Sequence, residues 1–438
     1  MNARTPWLRL AAASALLAAI AAAPAQSMFA GNAAHTGVAG SAAPRTMPRV
    51  KWAFPTGERI VSSAVWHDGL VVFGSDDGHV YAVDAATGRQ RWMQATGGPV
   101  PSTPAVAGGR VYAVSYDGRL YALDAASGEV LWTFATDGER RFEARGLHGQ
   151  QPRTQTFADV YDVYLSSPVV ADGTVYFGSG DGHLYAVDAA SGSLRWRVRT
   201  SDVVHASPAL AEGLVIVGSW DGRLYAVDAR SGQTRWTFQA GTDPLMFNQQ
   251  GFQSSPTVVD GVVYTGCRDA NLYAIDARTG QEKWRFGTEG SWINSTPAVS
   301  GGRVHFATSD SARYHVLDAA TGKPLHQGDT RAYVFSSPVV AGDVVLLGVL
   351  NGSLQARDKD SSALLWEFRT EAARSNQGWV LTSDQRFNAP LLFPSGWREA
   401  VALGADRQQN VGSFFATPLV VGSVVYVGSA DGNLYALE

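Results

Sequence analysis

The residues with the clearest capacity for chemistry are Trp220 and Arg268. Each stands immediately before an acidic turn, Asp221-Gly222 and Asp269-Ala270, that recurs along the chain. An indole face stacks on flat rings, and a guanidinium pairs with carboxylates in a planar geometry. The pair predicts a site for a flat anionic ligand, and free variation within a solvated turn is the alternative. The equivalent residues of two other turns are Asp76 and Tyr116.

A second set of candidate ligand-binding residues lies outside the repeated pattern. The segment 371–414 is rich in cationic and aromatic side chains, which are types that dominate recognition surfaces. Its candidates are Arg374, Trp379, Asp384 and Arg407. A weaker pair, Trp292 and Asn294, leads into a predicted strand. The alternative is that such segments only pack on one another.

Signatures of catalytic and metal centres are missing from the sequence. It has no Cys-x-x-Cys-His motif, no His/Cys cluster at zinc spacing, no glycine-rich phosphate loop and no nucleophile elbow. No metal site is therefore expected. Cys267 is the only cysteine, which excludes an intrachain disulfide. Asp159, Asp162 and Asp384 are non-repeated carboxylates, but no two of them can be assigned as an acid and a base.

These residues are positioned by an internal repeat of about forty residues, anchored by an acidic turn. Eight copies of the turn are recognisable. They are Asp77-Gly78, Asp117-Gly118, Asp181-Gly182, Asp221-Gly222, Asp269-Ala270, Asp310-Ser311, Asn351-Gly352 and Asp431-Gly432.

Each repeat predicts four short β-strands. In the third repeat, apolar runs such as Val175-Tyr-Phe-Gly178 and Leu184-Tyr-Ala-Val187 alternate with Asp-Gly and Ser-Gly turns, a pattern typical of hairpins. Because both faces of these strands are apolar, each sheet must be covered on both sides. Sheets packed face to face around an axis meet this need and protect their edges. The sequence predicts an all-β fold, an eight-bladed β-propeller of four-stranded antiparallel blades.

The two ends of the chain complement each other. The last repeat stops at Glu438 and lacks its fourth strand, whereas Lys51-Trp-Ala-Phe54 resembles a fourth strand without its own repeat. Pairing the two would close the ring and make residues 51–438 a single propeller. Three insertions interrupt it at about 137–165, 241–253 and 370–415, which we name the blade 2, blade 4 and blade 7 insertions. They should stand as three walls around one mouth of the central channel.

The N-terminal residues predict secretion. Residues 1–25 combine Arg4 and Arg9, an apolar run and a small-residue cleavage site, which is typical of a signal peptide. An extended segment, 26–50, follows. No cysteine near the cleavage site offers a lipidation point, and no second hydrophobic span predicts a membrane anchor. We expect a periplasmic or secreted monomer that is not a lipoprotein. Removal of 1–25 shifts the net charge from −4 to −6, which disfavours nucleic acid and anionic membranes as partners.

The phrase Ala-x-Asp-x-x-Ser/Thr-Gly-x-x-x-Trp is intact at 82–92, 122–132, 186–196, 226–236 and 274–284. His326 replaces the tryptophan in a sixth copy, and Ser362 replaces the glycine in a seventh. The phrase resembles the tryptophan-docking repeat of the PQQ-like (quinoprotein-type) propellers. A motif present once per blade is expected to be structural. The tryptophans assigned to docking between blades are Trp52, Trp92, Trp132, Trp196, Trp236, Trp284 and Trp366.

The resemblance implies two classes of function. One is a non-enzymatic binding or scaffold propeller, like the lipoprotein of the outer-membrane barrel-assembly machinery, which engages a protein or peptide at the loop-walled mouth and needs no cofactor. The alternative is an alcohol oxidoreductase that uses PQQ with calcium, bound near Trp220 and Arg268. The lone Cys267 departs from the adjacent cysteines typical of such enzymes, so the first reading is preferred. A small quinone or alcohol ligand is expected if the protein is the alcohol oxidoreductase.

Overall fold

The computed structural model describes residues 26–241 and 251–438. The predicted signal peptide, 1–25, and residues 242–250 of the blade 4 insertion lie outside the described residues. The described chain forms eight four-stranded antiparallel sheets, arranged as a propeller, together with one short hairpin and three α-helices. This confirms the predicted fold class.

The strands follow one another from the inner to the outer edge of each blade. The outermost strand of the last blade is the exception, because it is the first strand of the chain, β1 (Val50–Pro55). Blades 1 and 2 contain β2 (Val65–His67), β3 (Leu70–Ser75), β4 (His79–Asp84), β5 (Gln90–Ala95), β6 (Ala105–Ala107), β7 (Arg110–Ser115), β8 (Arg119–Asp124) and β9 (Val130–Ala135). The blade 2 insertion carries a hairpin of β10 (Glu143–Arg145) and β11 (Thr156–Ala158).

The next three blades repeat this order. They contain β12 (Val169–Ala171), β13 (Thr174–Gly178), β14 (His183–Asp188), β15 (Leu194–Arg199), β16 (Ala209–Ala211), β17 (Leu214–Gly218), β18 (Arg223–Asp228), β19 (Thr234–Gln239), β20 (Thr257–Val259), β21 (Val262–Gly266), β22 (Asn271–Asp276) and β23 (Glu282–Gly287).

Blades 6 to 8 complete the ring, and the α-helices of the described residues all lie in the blade 7 insertion. The strands are β24 (Ala298–Ser300), β25 (Arg303–Ala307), β26 (Arg313–Asp318), β27 (Pro324–Asp329), β28 (Val339–Ala341), β29 (Val344–Val349), β30 (Ser353–Asp358), β31 (Leu364–Arg369), β32 (Leu419–Val421), β33 (Val424–Gly428) and β34 (Asn433–Leu437). The helices are α1 (Glu371–Ser375), α2 (Ala389–Leu392) and α3 (Arg398–Gln409).

The last blade is closed by the N-terminal strand. β1 pairs antiparallel with β34, with Trp52 opposite Ala436 and Phe54 opposite Leu434. The sheet order is β1-β34-β33-β32. The two chain ends therefore share one blade, as the sequence predicts, and the ring has no unpaired edge at the junction.

Eight buried hydroxyl side chains join the inner strands in a closed circle, which we call the hydroxyl ring. The backbone N–H of each member donates to the hydroxyl oxygen of the member in the next blade, over 2.8 to 3.4 Å. The members are Ser63, Thr103, Ser167, Ser207, Ser255, Thr296, Ser337 and Thr417. Because each N–H would otherwise be buried without a partner, the ring satisfies eight donors and links all blades.

Outer strands contact the next blade through their tryptophans. The indole N–H of Trp92 donates to the carbonyl of Ala125 over 3.0 Å. Its ring covers Gly128, where an added Cβ would lie 2.7 Å from the indole. The same packing is made by Trp52, Trp132, Trp196, Trp236 and Trp284 on Gly88, Gly192, Gly232, Gly280 and Gly322.

Two junctions depart from this pattern. Blade 8 ends before its own turn, and the N–H of Trp366 donates instead to the carbonyl of Pro44 over 2.8 Å. At the junction of blades 6 and 7 no tryptophan is present. There the buried guanidinium of Arg357 in blade 7 donates to the carbonyl of Asp329 in blade 6 over 2.5 Å and to that of Ser362 in its own blade over 3.1 Å.

The predicted extended segment winds around one end of the channel. We call residues 26–44 the N-terminal strap. Its backbone carbonyls accept N–H groups from the inner strands of six blades, donated by Trp66, Val106, Leu210, Val258, Val299 and Val340. His35 of the strap is fully buried and contacts the Pro256 carbonyl through Nδ1, over 3.1 Å. The strap therefore covers the end of the channel opposite the insertions.

Candidate functional site

The three insertions meet over one end of the channel. Gln151 of the blade 2 insertion donates its backbone N–H to the carbonyl of Gly396 in the blade 7 insertion over 2.8 Å. The Tyr161 hydroxyl donates to Oε1 of Gln408 over 2.8 Å. Gln253 of the blade 4 insertion donates to the carbonyl of Tyr161, also over 2.8 Å. We call this side of the molecule the insertion face.

The structure brings Trp220 and Arg268 together, as the sequence predicts, and adds a third residue. The Arg268 guanidinium lies between the rings of Trp220 and Trp292, 4.3 Å from the centre of each. Phe142 stacks on Trp220, with ring centres 4.4 Å apart and planes at 8°. Both faces of the guanidinium are covered by aromatic rings, an arrangement favourable to a desolvated cation.

The charge of Arg268 is met by a carboxylate of the same chain. Nη1 of Arg268 donates to Oδ2 of Asp159, and Gln253 Oε1 accepts from Nε and Nη2 over 3.2 and 2.5 Å. His148 lies 2.7 Å from the other Asp159 oxygen. Burial alone would raise the pKa of Asp159, but Arg268 and His148 hold it well below its usual range. The flat anionic ligand expected here is thus replaced by Asp159.

A second buried charge cluster fixes the blade 2 insertion. His205 Nδ1 lies 2.8 Å from Asp162, and Nε2 lies 3.3 Å from Glu139. Burial by itself would lower the pKa of His205, but the two carboxylates raise it to about 10. The imidazole is therefore a cation at neutral pH, and it acts as a buried ionic contact between blade 4 and the insertion.

Two other predicted turn residues also have partners within the chain. Asp76 pairs with Arg59 over 2.5 Å, and Arg59 donates in turn to Gln409 over 3.0 Å. The Tyr116 hydroxyl donates to the Asp162 carbonyl over 3.5 Å, and burial raises the pKa of Tyr116 above its ordinary value. Tyr116 directly and Asp76 through Arg59 therefore contact the insertions that cover the channel.

Asn294 differs from these residues because its carboxamide has no protein partner. The side chain is buried, and neither its oxygen nor its nitrogen makes a hydrogen bond within the described residues. It lines a cavity on the channel axis together with the hydroxyl ring.

The candidates of the blade 7 insertion lie on the outer surface. Arg374 pairs with Glu371 over 2.7 Å, and Asp384 lies 3.3 Å from Arg386. The Arg407 guanidinium lies 5.8 Å from the ring centre of Trp379, which is 54% exposed. Trp397, a further aromatic residue of the same segment, is 60% exposed. These side chains are separated from the Arg268 cluster by the packed insertions.

The residues around Arg268 do not fit PQQ. A tricyclic quinone would need an open aromatic face and a free cation, but Trp220 and Trp292 cover the guanidinium and Asp159 neutralises it. The axial cavity measures about 30 Å³, which is space for a few water-sized groups only. The expected cofactor place beside Trp220 and Arg268 is filled by the chain itself.

One group of metal-ligand types occurs among the described residues. Asp137, Asp181 and His183 bring their ligand atoms within 4.8 Å of one another. However, Asp137 also pairs with Arg197 over 2.9 Å, and Asp181 holds the backbone N–H of Asp137. These contacts connect neighbouring turns, and they explain without a metal ion why the three side chains lie close together. The helices of the described chain include none with the length and apolarity to traverse a bilayer.

The chain resembles known proteins in sequence. The sequence pattern of the family described as "Outer membrane protein assembly factor BamB" matches residues 37–158, 161–286 and 268–438. The BamB of Moranella endobia is 28% identical over 154 residues, which cover 32% of this chain and 39% of that protein. The matched region therefore spans about two fifths of that relative's length.

Solved structures share the fold at lower identity. BamB from Moraxella catarrhalis aligns with a TM-score of 0.66 at 16% identity, covering 89% of this chain and 99% of the other. A europium-containing methanol dehydrogenase aligns with a TM-score of 0.67 at 15% identity, covering 93% and 91%. Both likenesses show the propeller fold alone. Because the family pattern extends over nearly the whole propeller, the chain belongs to the outer membrane protein assembly factor BamB family.

Proposed function

We propose that this protein is a non-enzymatic binding or scaffold propeller that engages a protein or peptide through the outer surface of its insertion face. The observation that carries the proposal is the exposure of two tryptophans, Trp379 and Trp397, on the blade 7 insertion. Exposed tryptophan is rare on a surface that contacts only water, and it is enriched in protein interfaces. The partner would act in outer-membrane protein assembly, in keeping with the relatives' name.

The channel is a poor alternative place for binding. The strap covers one end, the insertions cover the other, and the axial cavity measures about 30 Å³. A peptide cannot enter such a space without displacement of packed segments. Binding on the exterior requires no such rearrangement, which favours rapid engagement by rigid surfaces. We place the protein in the periplasm, after removal of residues 1–25.

Arg407 supports the choice of the surface around Trp379. Its guanidinium packs beside the indole, and α3 carries the exposed Leu403 one turn before it. An aliphatic side chain and an arginine on α3, with an indole packed beside the arginine, resemble the central part of an interface. The ion pairs Arg374–Glu371 and Arg386–Asp384 would lie at the polar rim of this interface.

The test measures binding to the purified outer-membrane barrel-assembly complex and to an unfolded outer-membrane protein. The double variant W379A/W397A should weaken binding to one of these at least tenfold. The control M93A/L194A removes two apolar side chains of similar exposure from other blades and should bind like the wild type. The proposal fails if neither probe binds the wild type, or if both variants bind equally well.

The quinoprotein alternative has its own readout. PQQ and calcium should leave the tryptophan fluorescence of the purified protein unchanged, because Trp220 and Trp292 already pack on Arg268. A saturable fluorescence change, with dye reduction in the presence of an alcohol, would replace the scaffold proposal by an oxidoreductase.

A further inference from the structure

The axial cavity is lined by described residues of the strap, of the inner strands and of the insertion face. Phe29 of the strap lies at one end, and Tyr164, Phe335 and Phe415 line it toward the insertion face. All eight members of the hydroxyl ring line it as well. The cavity is thus a narrow space on the channel axis, lined by hydroxyl groups and aromatic rings and distinct from the outer surface that we propose for partner binding.

The hydroxyl ring has unused donors. Each oxygen accepts one backbone N–H, but within the described chain none of these eight hydroxyls donates to a protein acceptor. Each is at least nine-tenths buried. The preceding hydroxyls behave differently, since Ser102 donates to the carbonyl of Val114 over 2.7 Å and Ser166 to that of Ala206 over 3.0 Å.

Asn294 adds an unpaired carboxamide to the same cavity. Its nitrogen and oxygen are both buried without a protein partner. A buried amide without hydrogen bonds carries a large desolvation cost. The eight hydroxyls and Asn294 therefore require a ligand that accepts hydrogen bonds from O–H and N–H groups and donates one to the amide oxygen.

Charge and size decide which ligand meets this need. His205 is the charged side chain that lines the cavity, and Asp162 and Glu139 already pair with it, so the cavity offers no free cation for an anion. About 30 Å³ accommodates about two water molecules at 10–15 Å³ each. We propose that this cavity is an internal water-binding site in which ordered waters bridge Asn294 to the hydroxyl ring.

The closure of the channel gives these waters a measurable property. Because the strap and the insertions cover the two ends of the channel, these waters should exchange slowly with the bulk solvent. Oxygen-17 magnetic relaxation dispersion detects such long-lived waters in solution. The wild type should show a dispersion step equivalent to about two waters. The Asn294→Leu variant, which removes both polar atoms at similar volume, should lose at least half of that step.

Control and independent measurement complete the test. Asn410→Leu makes the same change at an exposed site and should retain the wild-type step. A high-resolution crystal structure of the wild type, which does not depend on a variant folding, should show water within hydrogen-bond distance of the Asn294 amide. The proposal is overturned by a wild type without long-lived water, by a bromide anomalous peak in the cavity, or by an Asn294 amide bonded to protein.

Discussion

Thr417 donates its backbone N–H to the hydroxyl of Ser63 over 2.9 Å, although the two residues are 354 positions apart. This bond joins the last blade to the first and completes the hydroxyl ring. It acts beside the pairing of β1 with β34, so the propeller is closed both at its inner edge and at its outer edge. Stability of the whole ring should therefore depend on the N-terminal strand.

Trp52→Ala should lower the free energy of unfolding by about 2 kcal/mol, because the half-buried indole covers Gly88 and donates to the Ala85 carbonyl. Urea unfolding followed by circular dichroism measures the change. Val50→Thr, an exposed substitution in the same strand, serves as the control and should stay within about 0.5 kcal/mol of the wild type. Equal midpoints for the wild type and Trp52→Ala would contradict closure through this strand.

Ser362→Gly should raise the free energy of unfolding by about 1 kcal/mol. Ser362 has a φ of +63°, a left-handed conformation that costs a non-glycine residue about 1 kcal/mol, and its hydroxyl is buried without a partner. Serine is tolerated there because the preceding blade carries His326 where others carry tryptophan.

Gly322→Ser tests the reverse case at the equivalent turn, where an added Cβ would lie 2.6 Å from Trp284. It should destabilise strongly. Thermal unfolding of the two variants gives the comparison. If both substitutions shift the unfolding temperature in the same direction, the presence of His326 does not explain why serine is tolerated at position 362.

Asp159→Asn should destabilise the protein by about 3 kcal/mol, because it leaves the buried Arg268 without a counter-charge. The tryptophan emission should shift as well, since Trp220 and Trp292 pack on that guanidinium. Asp384→Asn, at an exposed site, provides the matched control. If Asp159→Asn unfolds at the wild-type urea concentration, the ion pair does not hold the insertion in place.

His205 should make stability fall on the alkaline side. Its pKa is raised from about 6.5 in the unfolded chain to about 10 in the folded protein. The contribution is complete below pH 6.5 and is lost as pH rises from 6.5 to 10, at no more than about 1.4 kcal/mol per unit. His205→Gln should flatten the decline between pH 7 and 9, measured by urea unfolding. A slope unchanged by the substitution would show that the imidazole is neutral.

The architecture was predictable because its signals are local and repeated. Each Asp-Gly turn and each Trp–Gly contact recurs in the sequence at nearly constant spacing, so one blade explains the others. The hydroxyl ring also has a local sequence signal. Seven of its eight members precede a proline, as in Thr103-Pro104 and Thr417-Pro418.

The candidate site was predictable only in part. Trp220 and Arg268 do lie together, because both occupy the same position in neighbouring blades. Their partner Asp159 lies 109 residues before Arg268, in an insertion without periodicity, so no spacing indicates the contact. Phe142 gave no signal for the same reason. Trp379 is exposed whereas Trp220 is buried. This difference depends on how the insertions pack together.

Site-specific photo-cross-linking reports which face of the propeller meets a partner. A benzophenone amino acid would replace either Trp379 on the insertion face or Val38, which is 37% exposed on the strap, in living cells that produce the protein. We expect an adduct with a protein of outer-membrane assembly from position 379 and none from position 38. An adduct from position 38 alone, or equal adducts from both positions, would contradict it.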